Sequence, residues 1–381
     1  MRGGRLGKAV LAAVLVLGSG CATTESAVEP APTPTPTVVG SFEWTSAQVP
    51  YALHFVVRAG DGFVAMEAPA VMAESEEDQA MFRVMSSPDG LTWTPADGAP
   101  TGEFVMWENG GPWGAAARIE SAEDPGSADI LYTPDGVQWV RSGLVDEDGT
   151  AYAGVQDVAV GESGLVVAAA GSRAVLFSED GRTWQKVDLG VPKFRAAEVI
   201  AADPGFVVIS ENRGWLYSPD GRSGWKQYDL AEGMATGERY GFSVGTSTGW
   251  REGFMILRSG PEGPRIVLSQ DGTSWTDSDA AELAGLDGIQ MYGSELGLLA
   301  FGFSEPVEGE SFEYVLLFSA DSSAWESAGV QEILGHPMYM PEGAALGADR
   351  IVIAQPDTVP SEGATAMPST STAYVGVPTT G

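Results

Sequence analysis

From Ser41 onward the chain alternates short apolar runs with polar breaks, and no stretch carries a helical period. In one part of it four runs follow in succession: Val155–Val160, Leu165–Ala170, Ala174–Phe177 and Thr183–Val187. Their length and β-branched content predict strands. The second run of the set recurs as Phe63–Met66, Trp113–Ala117, Leu165–Ala170, Phe206–Ile209, Phe254–Leu257, Leu298–Phe301 and Ile351–Ala354. Seven copies predict seven small sheets, so the fold class is all-β.

A hairpin punctuates the runs. It reads Ser87-Pro88-Asp89-Gly90-Leu91-Thr92-Trp93 and returns around Asp135, Asp180, Asp220, Asp271 and Asp321, at intervals of 40 to 51 residues. A period of that size marks a propeller or a solenoid. Asp-Gly closes a tight turn: Gly accepts positive φ, and the Asp carboxylate accepts nearby backbone N–H groups. Each hairpin then delivers a Trp (Trp93, Trp139, Trp184, Trp225, Trp275, Trp325), which suits a wedge between neighbouring sheets. Two copies deviate. The fourth has one extra residue before Trp225, expected to form a bulge. The sixth has Ser322 where the others have Gly, which predicts a costlier turn.

This pattern resembles the Asp-box, or bacterial neuraminidase repeat, of sialidase-like β-propellers. The usual form of that repeat has one residue between Asp and Gly. Here the two are adjacent, as in non-enzymatic propellers related to the photosystem assembly factor family. The resemblance covers nearly the whole chain after residue 40 and implies the fold more than the function.

The seventh set has a third run at Thr372–Val377 and then the chain ends. Its missing fourth strand is at the other terminus, because Phe42-Glu43-Trp44-Thr45 matches Leu91-Thr92-Trp93-Thr94. The expected architecture is a seven-bladed β-propeller over residues 41–378, closed by an N-terminal strand. About 340 residues over seven blades is about 48 each, within the propeller range. The rival is a six-bladed ring with a spare C-terminal segment. Trp44 argues against it, having no other evident use.

The N-terminus reads differently. Arg2, Arg5 and Lys8 precede an apolar run, Ala9 to Leu17, too short for a membrane span. Small residues lead to Cys21, the single cysteine. Residues 1–21 are therefore expected to be a lipoprotein signal peptide with lipid on Cys21. Bacterial lipoproteins usually place Leu three residues before that Cys; here Gly18 stands there and Leu17 is one further back. An ordinary signal peptide with an incidental Cys is the alternative. Residues 22–40, with Pro30, Pro32, Pro34 and Pro36, are expected to be an extended linker. The expected location is extracytoplasmic, held to the membrane through the lipid alone.

The formal net charge of −32 argues against nucleic acid as a partner, since phosphate binding is driven by Lys and Arg. Solubility through self-repulsion accounts for part of that charge. The loops between second and third runs are notably acidic: Glu74, Glu76, Glu77 and Asp78, then Glu120, Glu123 and Asp124, then Glu305, Glu308 and Glu310. They are candidates for a negative rim on one face, with Glu77, Asp78 and Glu308 as candidate binding residues.

Catalytic signals are thin. Sialidases need three arginines, one in Arg-Ile-Pro; Arg118-Ile119, Arg265-Ile266 and Arg350-Ile351 all lack the Pro. The two histidines, His54 and His336, fall in adjoining blades of the expected ring; a shared metal site is one reading, but zinc would need further ligands, and one buried and one solvated group is the expectation. Asp146-Glu147-Asp148-Gly149 starts like a calcium loop but lacks the later ligands, and a solvated acidic turn is expected. No metal and no cofactor is assigned. Trp113 is expected in the core at the place of Phe63. Trp107, beside Met106 in a first run, is a candidate channel residue for stacking on a sugar or peptide, against a core position. The sequence thus describes a binding or scaffold module for a protein, peptide or glycan. A sialidase-like hydrolase and an assembly factor for envelope complexes are the alternatives. The repeated Asp residues are read as structural, because they recur at one offset in every unit.

Overall fold

The computed structural model describes residues 37–67, 82–100, 105–120, 128–152, 154–169, 172–192, 194–210, 214–228, 247–250, 253–260, 263–278, 281–304, 313–334, 343–357 and 370–379. All belong to the compact unit Pro34–Gly381. They form seven antiparallel units of four strands. Blade 1 is Leu53–Ala59, Gly62–Glu67, Arg83–Ser87 and Thr94–Pro95. Blade 2 is Val105–Gly111, Gly114–Glu120, Ala128–Thr133 and Val140–Gly143. Blade 3 is Val155–Gly161, Gly164–Ala169, Ala174–Ser178 and Gln185–Asp188. Blades 4, 5 and 6 repeat the order from Glu198–Ala202, Ser247–Trp250 and Leu286–Gly293. The first strand of each blade lies beside the first strands of the blades before and after it, blade 7 beside blade 1 included. The result is a closed propeller.

Blade 7 joins the two ends of the chain. Its strands are Ala344–Leu346, Ile351–Pro356 and Ser371–Pro378, and the fourth is Phe42–Val49. The last two pair along their whole length, Phe42 opposite Pro378 and Val49 opposite Ser371, with Trp44 facing Gly376. The C-terminal segment is thus a blade strand, not a spare one. Thr37–Val39 adds a fifth strand outside Phe42–Val49. Thr37–Val39, which the sequence reading placed in the linker, is thus a strand of the folded body.

The core is divided among the blade interfaces. Seven buried clusters each join two neighbouring blades, and each holds or borders one hairpin Trp. Trp44 serves the interface of blades 6 and 7, where it is 1% exposed and donates its Nε1–H to the Ala328 carbonyl at 3.1 Å. Trp93 lies between blades 7 and 1, Trp184 between 2 and 3, and Trp325 between 5 and 6. Trp139, Trp225 and Trp275 are half-buried at the remaining three.

Two local expectations are corrected by register. Trp113 is not at the place of Phe63: Ala115 is, opposite Thr133 as Phe63 is opposite Ser87. Trp113 stands in the turn before it. The extra residue of the fourth hairpin makes no bulge, because Lys226 pairs with Tyr217 as Thr94 pairs with Ser86. Gly224, at φ 68°, absorbs it within the turn. Helix among the described residues is confined to short pieces, of which Val330–Leu334 is one, between blades 6 and 7.

Trp44→Ala is expected to lower the unfolding free energy by about 3–5 kcal/mol, read from the denaturant midpoint. Val377→Ala, on the exposed side of the same strand pair, is expected to cost no more than about 0.5 kcal/mol. Equal effects of the two would mean that the ring does not depend on its N-terminal strand.

Candidate functional site

The repeated turns share one hydrogen-bonding scheme. Oδ1 of Asp89 accepts the N–H groups of Leu91 and Thr92 at 2.8 and 2.7 Å, while Gly90 N–H donates to the Ser87 hydroxyl at 2.8 Å. Asp135, Asp180, Asp220 and Asp271 each accept the same two N–H groups of their own turns. Asp321 accepts Ser323 through its N–H at 2.9 Å and its hydroxyl at 2.7 Å. Ser322 stands at φ 68°, in the left-handed region that Gly90 and its equivalents occupy without a Cβ. The Trp93 indole N–H donates to the Gly90 carbonyl at 2.9 Å, which ties the wedge to its turn.

The candidates named from sequence do not form one site. Trp107 is 7% exposed and packs between blades 1 and 2, its ring 6.2 Å from Trp139. A stacking role is corrected to a core position, because side chains of an inner strand point into the blade interfaces. Trp215 and Trp250, 2% and 5% exposed, belong to interface clusters as well. Glu77, Asp78 and Glu308 lie outside the described residues, as do Glu74, Glu76, Glu123, Asp124, Glu305, Glu310, His336 and Cys21.

His54 is buried in the first strand of blade 1, and burial lowers its imidazole to about 4, so it is neutral at physiological pH. Among the described residues no group of His, Cys, Asp and Glu is arranged to hold a metal. Asp146 is not solvated but 5% exposed. It accepts the N–H groups of Asp148 and Thr150 at 3.1 and 2.9 Å and the Tyr152 hydroxyl at 2.8 Å. Burial pushes its carboxyl up; these bonds, with Lys186 nearby, outweigh that and hold it below the usual range.

A cleft that the sequence did not single out lies at the mouth of the channel, on the face of the repeated turns. The hairpins joining first and second strands of blades 2 to 6 leave a cavity of about 50 Å³ between them, open to solvent. Its wall includes Trp113, Asp203, Thr248, Trp250, Ser294 and Glu295. Glycines let the hairpins converge: a Cβ on Gly249 would stand 1.8 Å from the Ala201 carbonyl oxygen. The lining hydroxyls are committed. Ser294 donates to the Gly347 carbonyl at 2.7 Å and accepts Leu296 N–H at 3.0 Å, and Thr248 donates to the Gly249 carbonyl at 3.2 Å.

One side of the mouth is tied by an ion pair. Arg58, 4% exposed on the first strand of blade 1, makes a two-pronged contact with the Glu295 carboxylate of blade 6, one prong at 3.1 Å. Its Nε–H donates to the Gly60 carbonyl at 2.7 Å. Burial pushes the Glu295 carboxyl up, but the bonds from Arg58 outweigh it and hold it below the usual range. Blade 7 is also fastened from both sides, by Ser294 on the Gly347 carbonyl and by Arg350 Nη1 on the Asp89 carbonyl at 3.4 Å. A buried guanidinium left without its carboxylate is strongly destabilising. The hairpin signal was present in the sequence: Asp61, Glu162, Asp203, Glu295 and Asp349 each fall within the few residues before a second strand.

No protein-family model and no curated protein matches the chain. Among solved structures, "YCF48 bound to D1 peptide" is similar at 14% identity with a TM-score of 0.47, covering 90% of this chain and 99% of the other. Virginiamycin B lyase from Staphylococcus aureus is similar at 9% identity and a TM-score of 0.48, covering 87% and 99%. The phage phi92 endosialidase is similar at 12% identity and a TM-score of 0.43, covering 90% and 70%. At these values nothing about ligand or reaction is drawn from them.

Burial pushes the Asp271 carboxyl up, but the N–H groups and hydroxyls of Ser274 and Thr273 outweigh it and hold it at about 2. The folded value thus lies below the unfolded one of about 3.9. Its contribution to stability is complete above the unfolded value and is lost as pH falls towards the folded one. Asp271→Asn is expected to cost about 1 kcal/mol at pH 7, the charged-acceptor range reduced for an exposed group. Denaturation at pH 7, 4 and 2.5 should show the gap to wild type narrowing with acid. A gap independent of pH would contradict the assignment.

Proposed function

We propose that this chain is an extracytoplasmic binding module, lipidated on Cys21 and held off the membrane by the Pro/Thr stretch, with its ligand seated at the channel mouth. The cleft enclosed by five hairpins is the observation that carries this reading. It offers a shaped wall, the Trp113 indole and carboxylates, while the Ser294 and Thr248 hydroxyls are tied to backbone groups and supply no activated nucleophile. The ligand is a protein, peptide or glycan. The repeated Asp residues supply scaffold, each satisfied inside its own turn. A lone cysteine after an apolar run, followed by residues with the composition of an extended tether, supports the anchor.

Two measurements test the reading. Cys21→Ala is expected to appear in the medium or as uncleaved precursor, while wild type fractionates with membrane; identical behaviour of the two would remove the anchor. A photocrosslinking residue placed at Trp113 should capture a partner in the envelope that the same residue at exposed Val137 does not. Equal capture at both places, or release of sugar from a sialoside by the purified protein, would remove the binding role assigned to the mouth.

A further inference from the structure

We propose that blade 3 carries a second binding site, separate from the channel mouth, that takes a small carboxylic acid bearing an amino or hydroxyl group beside its carboxylate. A cavity of about 420 Å³, open to solvent, lies at the end of the blade opposite the Asp180 turn. Its wall is made by the loop between the second and third strands and by the stretch that follows the fourth. That volume is ordinary for a small-ligand site. Both pieces of wall are held in place. The Ser172 hydroxyl oxygen accepts Ala174 N–H at 3.0 Å, and Asp188 Oδ1 accepts Gly190 N–H at 2.9 Å. Leu189 and Phe194, 3% and 0% exposed, anchor the second piece from either side. Val191 and Pro192 add an apolar part to the wall.

The charges in that wall run against those of the chain. Residues 173–195 carry five of the 20 Lys and Arg and three of the 52 Asp and Glu. Arg173 and Lys186 both line the cavity, together with Asp188. Lys186 is positioned: its ammonium lies 5.8 Å from the centre of the Tyr152 ring, and the Tyr152 hydroxyl donates to buried Asp146 at 2.8 Å. Asp146 and Asp148 offset part of the Lys186 charge. Arg173 is exposed and has no hydrogen bond or ion pair among the described residues, so it is the uncommitted cation. A guanidinium suits a carboxylate, which it binds through two N–H groups. The Ser172 O–H, with no acceptor among the described residues, supplies a further donor.

Asp188 sets the second half of the ligand. It shares the cavity with two cations and pairs with neither. A dianion such as phosphate would be repelled by that carboxylate. A ligand with a donor beside its carboxylate would bond to Arg173 and Asp188 together. That is the chemistry of an amino acid or a hydroxy acid, with its side chain against Val191 and Pro192.

The test uses the full chain in detergent, titrated with leucine, its hydroxy analogue leucic acid, isocaproate and leucinamide by saturation-transfer NMR, with inorganic phosphate as a competitor. Leucine and leucic acid are expected to bind about fivefold more tightly than leucinamide, which lacks the carboxylate, and isocaproate, which lacks the donor. Arg173→Gln should bring leucine down to the level of leucinamide. Asp188→Asn, which keeps an acceptor for Gly190, should bring it down to the level of isocaproate. Both variants should melt within a few degrees of wild type. Arg182→Gln, exposed in the Asp180 turn at the other end of the blade, is the charge control and should change nothing. Equal binding of leucine and leucinamide, equal losses in Arg173→Gln and Arg182→Gln, or no binding of either acid overturns the site. Equal binding of leucine and isocaproate, or displacement of leucine by phosphate more readily than by isocaproate, overturns the role given to Asp188 and with it the ligand class. The crosslink at Trp113 reports on the channel mouth alone and is independent of these results.

Discussion

Everything in this molecule depends on the pairing of Phe42–Val49 with Ser371–Pro378. Seven sheets around an axis bury their faces against one another only if the ring is complete. An open ring would expose the apolar faces of two blades and leave unpaired strand edges. The chain closes by lending its first strand to its last blade, and the seam is reinforced where it matters. Trp44 crosses to blade 6, while Arg58 and Glu295 connect blades 1 and 6 over the hairpin of blade 7. The pair that fastens the ring thus borders the cleft, so the geometry of the mouth and the integrity of the seam are mechanically linked.

The same economy appears in the repeats. Each Asp turn fixes the start of an outer strand, and each outer strand delivers a Trp to a blade interface, which is why seven Trp serve seven clusters. The turn also sits against the start of the second strand in its own blade: a Cβ on Gly253 would stand 2.0 Å from the Ser269 carbonyl oxygen. That contact demands glycine there and sets how closely the first hairpin of a blade approaches its Asp turn. The cleft is the space left where these hairpins meet the axis.

Much of this was legible in the sequence, and the parts that were not have physical reasons. The Asp turns and their Trp residues were readable because a local turn needs fixed residue types at fixed offsets. The match between Trp44 and Trp93 revealed the closure for the same reason. Trp107 was misplaced because Val105, Met106 and Trp107 are consecutive apolar residues, so alternation does not tell which of them faces the interface. Trp113 misled because the strand begins one residue later, at Gly114, and an apolar run does not mark its own boundary. Asp146 looked solvated because its hydrogen-bond partners are mostly backbone groups, which leave no mark in composition. The mouth was missed because its acidic residues are spaced a blade apart and converge only after the ring closes. Conversely, the acidic loops drew attention because their charges are contiguous in the chain.

The central claim is that the N-terminal strand completes the ring, and hydrogen exchange reads it directly. Amides of Phe42–Val49 that face Ser371–Pro378 should exchange as slowly as those of the second strands in the other blades, and should open together with Ser371–Pro378. Fast exchange of these amides, at the rate of an unprotected segment while the other blades remain protected, would contradict the closure and the account built on it.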